Sequence, residues 1–427
     1  TGVGTMLFTS IYGIVDGLCV SNFVGKTAFA AVNLIMPVPM LVGSVGFMLG
    51  TGGSAIVGIT LGEGDQKKAD RYFTLFLLAA LVSVSVLAVL GIVFLRPIAV
   101  LLGAKGELLD YAVRYGRILM VSLPTFALQN MFQSFFVTAE KPHLGFWFTV
   151  GAGCTNMVLD VLMVGIWGWG VEGAAIATFI SQLVGGVLPV FYFIDRSNSS
   201  RLHLCKTSFY SKVLRDACIN GSSELMTNLS MSLVNILYNY QLLRLAGENG
   251  VAAYGVIMYA AFLFVAVFVG YAVGSAPIVS FHYGARNHAE VHNLYRKSLR
   301  LIAVVAVTLT LASMFIIPCV ARIFVGYDAE LLALTSRAFR LYALSFLIMG
   351  FNVYASSFFT ALGDGVTSAL ISFLRTLAFQ VIAILLLPLL LGIDGIWLAV
   401  TAAELAALAV SAAMLLTKDK VFHYRKA

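Results

Sequence analysis

The four residues Gly170-Val171-Glu172-Gly173 return as Gly392-Ile393-Asp394-Gly395, and the interval of 222 residues between them decides how the chain is read. At that interval Asn130 falls on Asn352, Phe136 on Phe358 and Thr138-Ala139 on Thr360-Ala361. Further upstream Ala31 meets Ala253, Ile35-Met36 meets Ile257-Met258, and Gly52 and Gly62 meet Gly274 and Gly284. Residues 1–210 and 211–417 are therefore two weak copies of one pattern, and the pattern is apolar almost throughout.

The chain has 427 residues, 60% of them hydrophobic, with a mean hydropathy of +0.94. Only 11% are charged, against roughly 25% in an average soluble domain, so there is too little polar surface for a water-soluble fold of this size. A spanning helix takes ~20 apolar residues, and about twelve such stretches can be marked. They lack the alternation of a membrane β-barrel. The expected fold is an all-α polytopic membrane protein of twelve transmembrane helices in two six-helix repeats. The longest polar stretch, Asp195 to Ser208, lies between spans six and seven and reads as a linker. The expected division is a first lobe over 1–198, a linker over 199–210, a second lobe over 211–417 and a basic tail over 418–427. Six is even, so the second copy enters the membrane in the same direction as the first. Parallel repeats of this kind place a ligand site near the midplane between them, as in secondary transporters.

The net charge of +7 is a topology signal, not a nucleic-acid footprint. Basic residues gather in alternate loops: Lys67, Lys68 and Arg71 after the second span, Arg196, Arg201 and Lys206 after the sixth, Arg286 and Arg296 after the eighth, and Lys418 and Lys420 after the last. By the positive-inside rule both termini are expected on the cytoplasmic side. The chain begins within what reads as the first span, so a native N-terminal extension is expected. The five cysteines show no paired spacing and read as small hydrophobes. A monomer in the lipid bilayer is expected.

Four acids lie deep in apolar spans: Asp16, Asp160, Glu224 and Glu404. A charge at bilayer depth costs at least ~2.5–3.5 kcal/mol on insertion scales, so each asks for a reason. The two in the first copy have no acidic counterparts, since Asp16 falls on Tyr238 and Asp160 on Ile382. Asn156 and Asp160 are four apart and share a helix face. The short turn Gly165–Gly170 makes the next helix antiparallel and brings Thr178 to a comparable depth. Two carboxylates, an amide oxygen and a hydroxyl form a hard-oxygen cluster suited to Na⁺, and either carboxylate can instead hold a proton. The competing reading is structural: Asp160, Asn156 and Thr178 as helix-to-helix hydrogen-bonders. Glu224 either faces a cavity and attracts cationic substrate or anchors the seventh span near the surface. Glu404 falls on Gln182 and reads as structural, as does Arg375, a lone base in the eleventh span that either pairs with an acid or snorkels.

All six histidines fall in or beside loops, which argues against a histidine relay through the bilayer. Met36, Met40, Met258, Tyr259 and Phe262 lie on helices flanking the expected cleft and suit lipophilic cations by adaptable packing and cation–π contact. Pro37 and Pro39 interrupt the second span, and Gly43, Gly46, Gly50, Gly52 and Gly53 crowd it, a pattern of close helix packing.

With these residues in view the chain resembles the multidrug and toxic compound extrusion (MATE) family, and within it the bacterial MepA/DinF-like branch. The resemblance runs over nearly the whole chain and is carried by Ile14–Gly25, Leu61–Ala69, Asn220–Leu225, Thr360–Gly365 and Gly392–Trp397. It implies a secondary transporter that exports organic cations and drugs in exchange for Na⁺ or H⁺, rocking between inward-open and outward-open states. It places Asp16, Asn156, Asp160 and Thr178 at the family's first-lobe cation site. The family's first helix often opens with a proline; Thr1 stands at about that point here. A lipid-linked oligosaccharide flippase of the same superfamily is the alternative, which asks for a strongly basic cavity where this chain has mainly buried acids. An intramembrane enzyme asks for a nucleophile with its base, or a metal cluster, at membrane depth, and a non-enzyme is expected.

Overall fold

A computed structural model describes residues 2–24, 26–102, 104–325 and 329–424; the side chains of residues 14, 16–22, 26, 27, 29, 30, 33, 248, 323 and 324 lie outside that description. Among the described residues there are helices and no strands. Twelve spans follow in order: α1 (Gly2–Phe23), α2 (Lys26–Ile35 continued as Pro37–Gly62), α3 (Gln66–Leu101), α4 (Glu107–Thr138), α5 (Pro142–Ile166) and α6 (Gly170–Ile194) in the first half. The second half holds α7 (211–246), α8 (Asn249–Gly284), α9 (His288–Val325), α10 (Ala329–Ala343 continued as Phe346–Ala361), α11 (Gly365–Leu391) and α12 (Ile393–Thr417). The protein is a polytopic helical membrane protein of two six-helix repeats. Eight of the helices are apolar enough to qualify as spans alone, and bent α10 makes a ninth, turning by 46° between its two segments. The other three, α1, α4 and α7, carry Asp16, Asn130 and Glu224.

Local chemistry explains the breaks. Pro37 has no N–H to give to the carbonyl four residues back, and α2 is interrupted there, with Pro37 opening the second segment. Helices α7 and α8 run on without a coil between them except at Gly247, whose φ of 60° and ψ of −150° suit glycine and reverse the chain. Helix α11 starts on Asp364, whose carboxylate accepts from Thr367 N (3.2 Å) and Thr367 Oγ1 (2.7 Å) and pairs with Lys418 Nζ at 2.8 Å. Burial pushes the Asp364 carboxyl up, but the Lys418 and Thr367 bonds outweigh it and hold it below the usual carboxylate range.

The glycines of α2 are read out by packing. A Cβ on Gly43 would meet the Phe126 ring at 2.5 Å, and one on Gly46 would meet Ala127 Cα at 2.6 Å, so this face lies flat on α4. Gly52 faces the other lobe, its Cβ position 2.1 Å from Ala217 O, and Gly221 of α7 answers with 1.9 Å to Met48 O. The junction is repeated symmetrically. Gly62 would touch Phe281 O at 2.1 Å and its repeat mate Gly284 would touch Ile59 O at 2.0 Å, while Gly2 meets Gly270 O at 2.5 Å. These contacts join α2 to α7 and α8, and α1 to α8, and all lie at the end carrying the basic loops.

Helices α2 and α8 therefore meet at that end. Met40 and Phe262, equivalent in the repeat, lie 22 residues or about 33 Å back along them, and are 47% and 53% exposed. Each lobe has its own core: one around Val84, Tyr115, Met120 and Ala175, and another around Tyr238, Phe268, Phe346 and Trp397.

Candidate functional site

Helices α5 and α6 pack closely at Gly173, where a Cβ would lie 3.2 Å from the Met163 backbone. The antiparallel pair brings Asn156 and Thr178 together, with Asn156 Nδ2 donating to Thr178 Oγ1 at 3.4 Å. Asn156 is 2% exposed and Asp160, one turn on, is fully buried. Asn156 Oδ1 is buried and accepts no hydrogen bond among the described residues. Asp160 is the last α-helical residue of its segment. Val161–Ile166 continues as a π-turn, with Trp167 N bonding to Leu162 O at 2.8 Å. An inserted π-turn swings the residues around it off the regular helix face, and such turns recur at functional sites.

Asp16 belongs to α1, and its side chain lies outside the described residues. The register of its helix is nonetheless bracketed. Gly153 of α5 has Phe8 Cε1 2.4 Å from its Cβ position, and Gly165 has Phe23 Cζ at 3.4 Å. The two helices therefore run the same way, and residue 16 of α1 passes α5 between these contacts, in the neighbourhood of residue 160. The equivalent region of the second lobe is built differently. Tyr238, the repeat mate of Asp16, is buried and stacks on Tyr254 with ring centroids 4.9 Å apart, and Tyr254 OH donates to Asn235 Oδ1 at 2.7 Å.

The second lobe has a charged centre of its own. Arg375 Nη1 pairs with Glu404 Oε1 at 3.3 Å, with Arg375 12% exposed and Glu404 1%. Asn352 Nδ2 donates to Glu404 Oε2 at 2.7 Å, and Ser411 Oγ donates to Asn352 Oδ1 at 2.9 Å. Of the two sequence readings of Arg375, pairing is the one the geometry takes, and Glu404 is its partner. The first lobe carries neutral Asn130 and Gln182 at the positions of Asn352 and Glu404. Arg375 also sits on a π-turn, Leu374–Ala378, at a different register from the one after Asp160. Glu224 is half-buried on α7, one turn beyond Gly221 at the lobe junction and within coulombic reach of Arg375.

Among the cleft candidates, Met36 and Met258 are partly buried against the cores of their own lobes. Met40, Tyr259 and Phe262 are 47%, 44% and 53% exposed. Pro37 stands at the α2 break. The sequence reading missed the Asn352–Ser411 bonds to the ion pair and both π-turns; only the alignment of Asn130 with Asn352 hinted at the former.

Comparison with known proteins agrees with the duplicated architecture. The model of the MatE family matches residues 3–162 and again 225–386, two matches that begin 222 residues apart. The chain belongs to the MatE family. It is 21% identical over 425 residues to the multidrug export protein MepA of Staphylococcus saprophyticus subsp. saprophyticus, covering 98% of this chain and 92% of that one. A MepA of Staphylococcus aureus (strain MSSA476) is 21% identical over 421 residues, with the same coverage. A crystal structure of a MATE protein in complex with MaL6 superposes with a TM-score of 0.93 at 23% identity, covering 100% of this chain and 95% of that one. This MATE-family transporter therefore has the family's twelve-helix fold along its full described length.

Proposed function

We propose that this MATE-family protein is a secondary active antiporter that exports lipophilic organic cations and drugs in exchange for Na⁺ or H⁺. The observation that carries the proposal is the fully buried Asp160 beside Asn156 and Thr178, in a lobe whose repeat mate offers Ile382 instead. The relatives named for multidrug export support the substrate class.

In this reading the coupling ion is cargo held by oxygen atoms of the first lobe. Asp160 and Asp16 supply charge, Asn156 Oδ1 supplies a neutral ligand already buried without a donor, and Thr178 supplies a hydroxyl. A proton would sit on one carboxylate, favoured there because the second carboxylate disfavours a like charge beside it. Substrate enters the cleft between α2 and α8, against Met36, Met40, Met258, Tyr259 and Phe262, with Glu224 as the acidic group on the second-lobe side. Exchange requires that ion and substrate prefer different states of the two lobes. Moving such an equilibrium from 1:99 to 99:1 takes about 5.5 kcal/mol of differential binding. Charged ligands in a low-dielectric site supply energies of that order. The protein works as a monomer in a bacterial inner membrane, with both termini cytoplasmic.

The test is counter-transport in proteoliposomes with Na⁺ and pH gradients imposed separately. Efflux of a lipophilic cation such as tetraphenylphosphonium, driven by an inward gradient of one ion and absent without it, supports the proposal. Efflux indifferent to both gradients would refute it.

A further inference from the structure

We propose that the inter-lobe linker and the first turns of α3 form a binding cup for a phosphate-bearing anion, at the membrane face where the lobes meet. The inference is independent of the transport reaction. A cavity of about 470 Å³ opens between α3 and the linker. Lys67 and Arg71 line it from α3, and Arg196, His203 and Lys206 line it from the linker. Among the described residues none of Lys67, Arg71, Arg196 and Lys206 makes an ion pair. Neighbouring basic groups outside the cup do find partners: Arg201 pairs with Glu140 at 3.1 Å, and Lys68 lies 5.7 Å from the Tyr72 ring centroid.

The one acid in the cup is already engaged. Asp70 Oδ1 accepts from Gln66 Nε2 at 3.2 Å and from His203 N at 3.0 Å. Its role is to strap the linker onto α3, along with Cys205 N to Thr74 Oγ1 at 3.1 Å and Thr207 Oγ1 to Arg71 O at 2.8 Å. His203 Nε2 is buried and has no hydrogen-bond partner among the described residues. The linker is therefore held in a defined shape that presents four cations around one concavity, at a net charge of +3 with Asp70 ionised. An orientation signal asks only for basic residues in the loop, not for a strapped cup with its acid turned to the backbone. Flexible lysines and arginines converging on a cavity suit a phosphate group, which accepts several charge-assisted bonds at once. At this face the group comes either from an anionic lipid headgroup or from a soluble phosphate, and their chemistry at the cup is the same.

The test uses the full chain in nanodiscs of neutral phosphatidylcholine, with inorganic pyrophosphate as the soluble probe and phosphatidylglycerol as the lipid probe. Binding is read by isothermal titration for pyrophosphate and by the shift in unfolding temperature for both. The variants are Arg196→Gln with Lys206→Gln, which leaves the α3 charges that set topology, and Lys68→Gln as a control of equal sign outside the cup. The expected result is saturable stabilisation by at least one probe, weakened at least tenfold by the linker double variant and unchanged by Lys68→Gln. Pyrophosphate binding that phosphatidylglycerol competes away assigns the site to lipid, and binding indifferent to the lipid assigns it to a soluble phosphate. No saturable effect of either probe, or equal loss in the Lys68→Gln control, overturns the proposal.

Discussion

Gly62 and Gly284 occupy the same position in the two repeats and lie at one junction, each pressed on the backbone opposite the other: Gly62 on Phe281 O and Gly284 on Ile59 O. Phe281 and Ile59 are themselves repeat mates. The symmetry axis of the duplicated chain therefore passes through a contact that a single methyl group would break. Under the rocking of the two lobes that we propose, this contact defines one closed state. It also makes the closed state unusually easy to perturb.

Replacing Gly284 by Val should open the junction. Overpacking of a tight contact costs about 1–3 kcal/mol, and here the cost falls only on states in which the lobes touch at the basic end. Spin labels on the α2–α3 and α8–α9 loops should report a longer inter-lobe distance in Gly284→Val than in the wild type, and transport should fall several-fold. An unchanged distance distribution would show that the junction is not the moving contact.

Asp160→Asn should leave insertion and folding intact while removing drug resistance in a susceptible host. The substitution keeps the volume and removes the charge at a fully buried site. Wild-type resistance at equal expression would take Asp160 out of the mechanism. Asn156→Leu, which removes the buried Oδ1, should weaken ion coupling with less effect on expression than on transport.

The Arg375–Glu404 pair should behave as a structural unit. Removing one partner of a buried pair typically costs about 3–5 kcal/mol, because the other charge is left uncompensated. Arg375→Leu alone should therefore lower the unfolding temperature and yield sharply. Combining it with Glu404→Leu should recover much of that stability, although Asn352 then loses an acceptor. A double variant as unstable as the single one would mean that Arg375 is held mainly by Glu224.

Stability should depend on pH through Asp364. Its folded-state carboxyl is held low by Lys418 and Thr367 against the effect of burial, so its contribution is complete above the unfolded value of about 3.8 and is lost as pH falls through the lower folded value. As the capping residue of α11 it is worth about 0.5–2 kcal/mol. Asp364→Ala should lower the unfolding temperature at pH 7, and the gap to wild type should narrow only in strongly acid solution. A gap that persists unchanged there would assign the effect to shape, not charge.

Much of this architecture is legible in the residues themselves. The repeat is written in pairs such as Asn130 with Asn352, and the break in α2 in Pro37, because a missing N–H has the same consequence in any context. Counting back from Gly165–Gly170 puts Thr178 near the depth of Asp160, whereas the structure bonds Thr178 to Asn156, one turn earlier on α5. Other features depend on how helices settle against each other. Nothing in the sequence says that Arg375 reaches Glu404 rather than Glu224, since both acids lie on other helices and the choice is made by rotation of α11. The π-turns after Asp160 and around Arg375 leave no compositional mark. Nor does the meeting of Gly221 with Met48, which are far apart in sequence and not repeat mates. The cup at the linker was visible only as charge, and its shape comes from hydrogen bonds to Asp70, Thr74 and the Arg71 carbonyl.

The central claim is that the first-lobe acids hold the coupling ion in competition with substrate. Its most direct test is ion release on substrate binding, in purified protein loaded with ²²Na⁺ or held in weakly buffered solution with a pH indicator. Adding tetraphenylphosphonium should displace bound Na⁺, or release protons, from the wild type and not from Asp160→Asn. Substrate binding that releases neither ion from the wild type, or releases it equally from Asp160→Asn, would contradict the account.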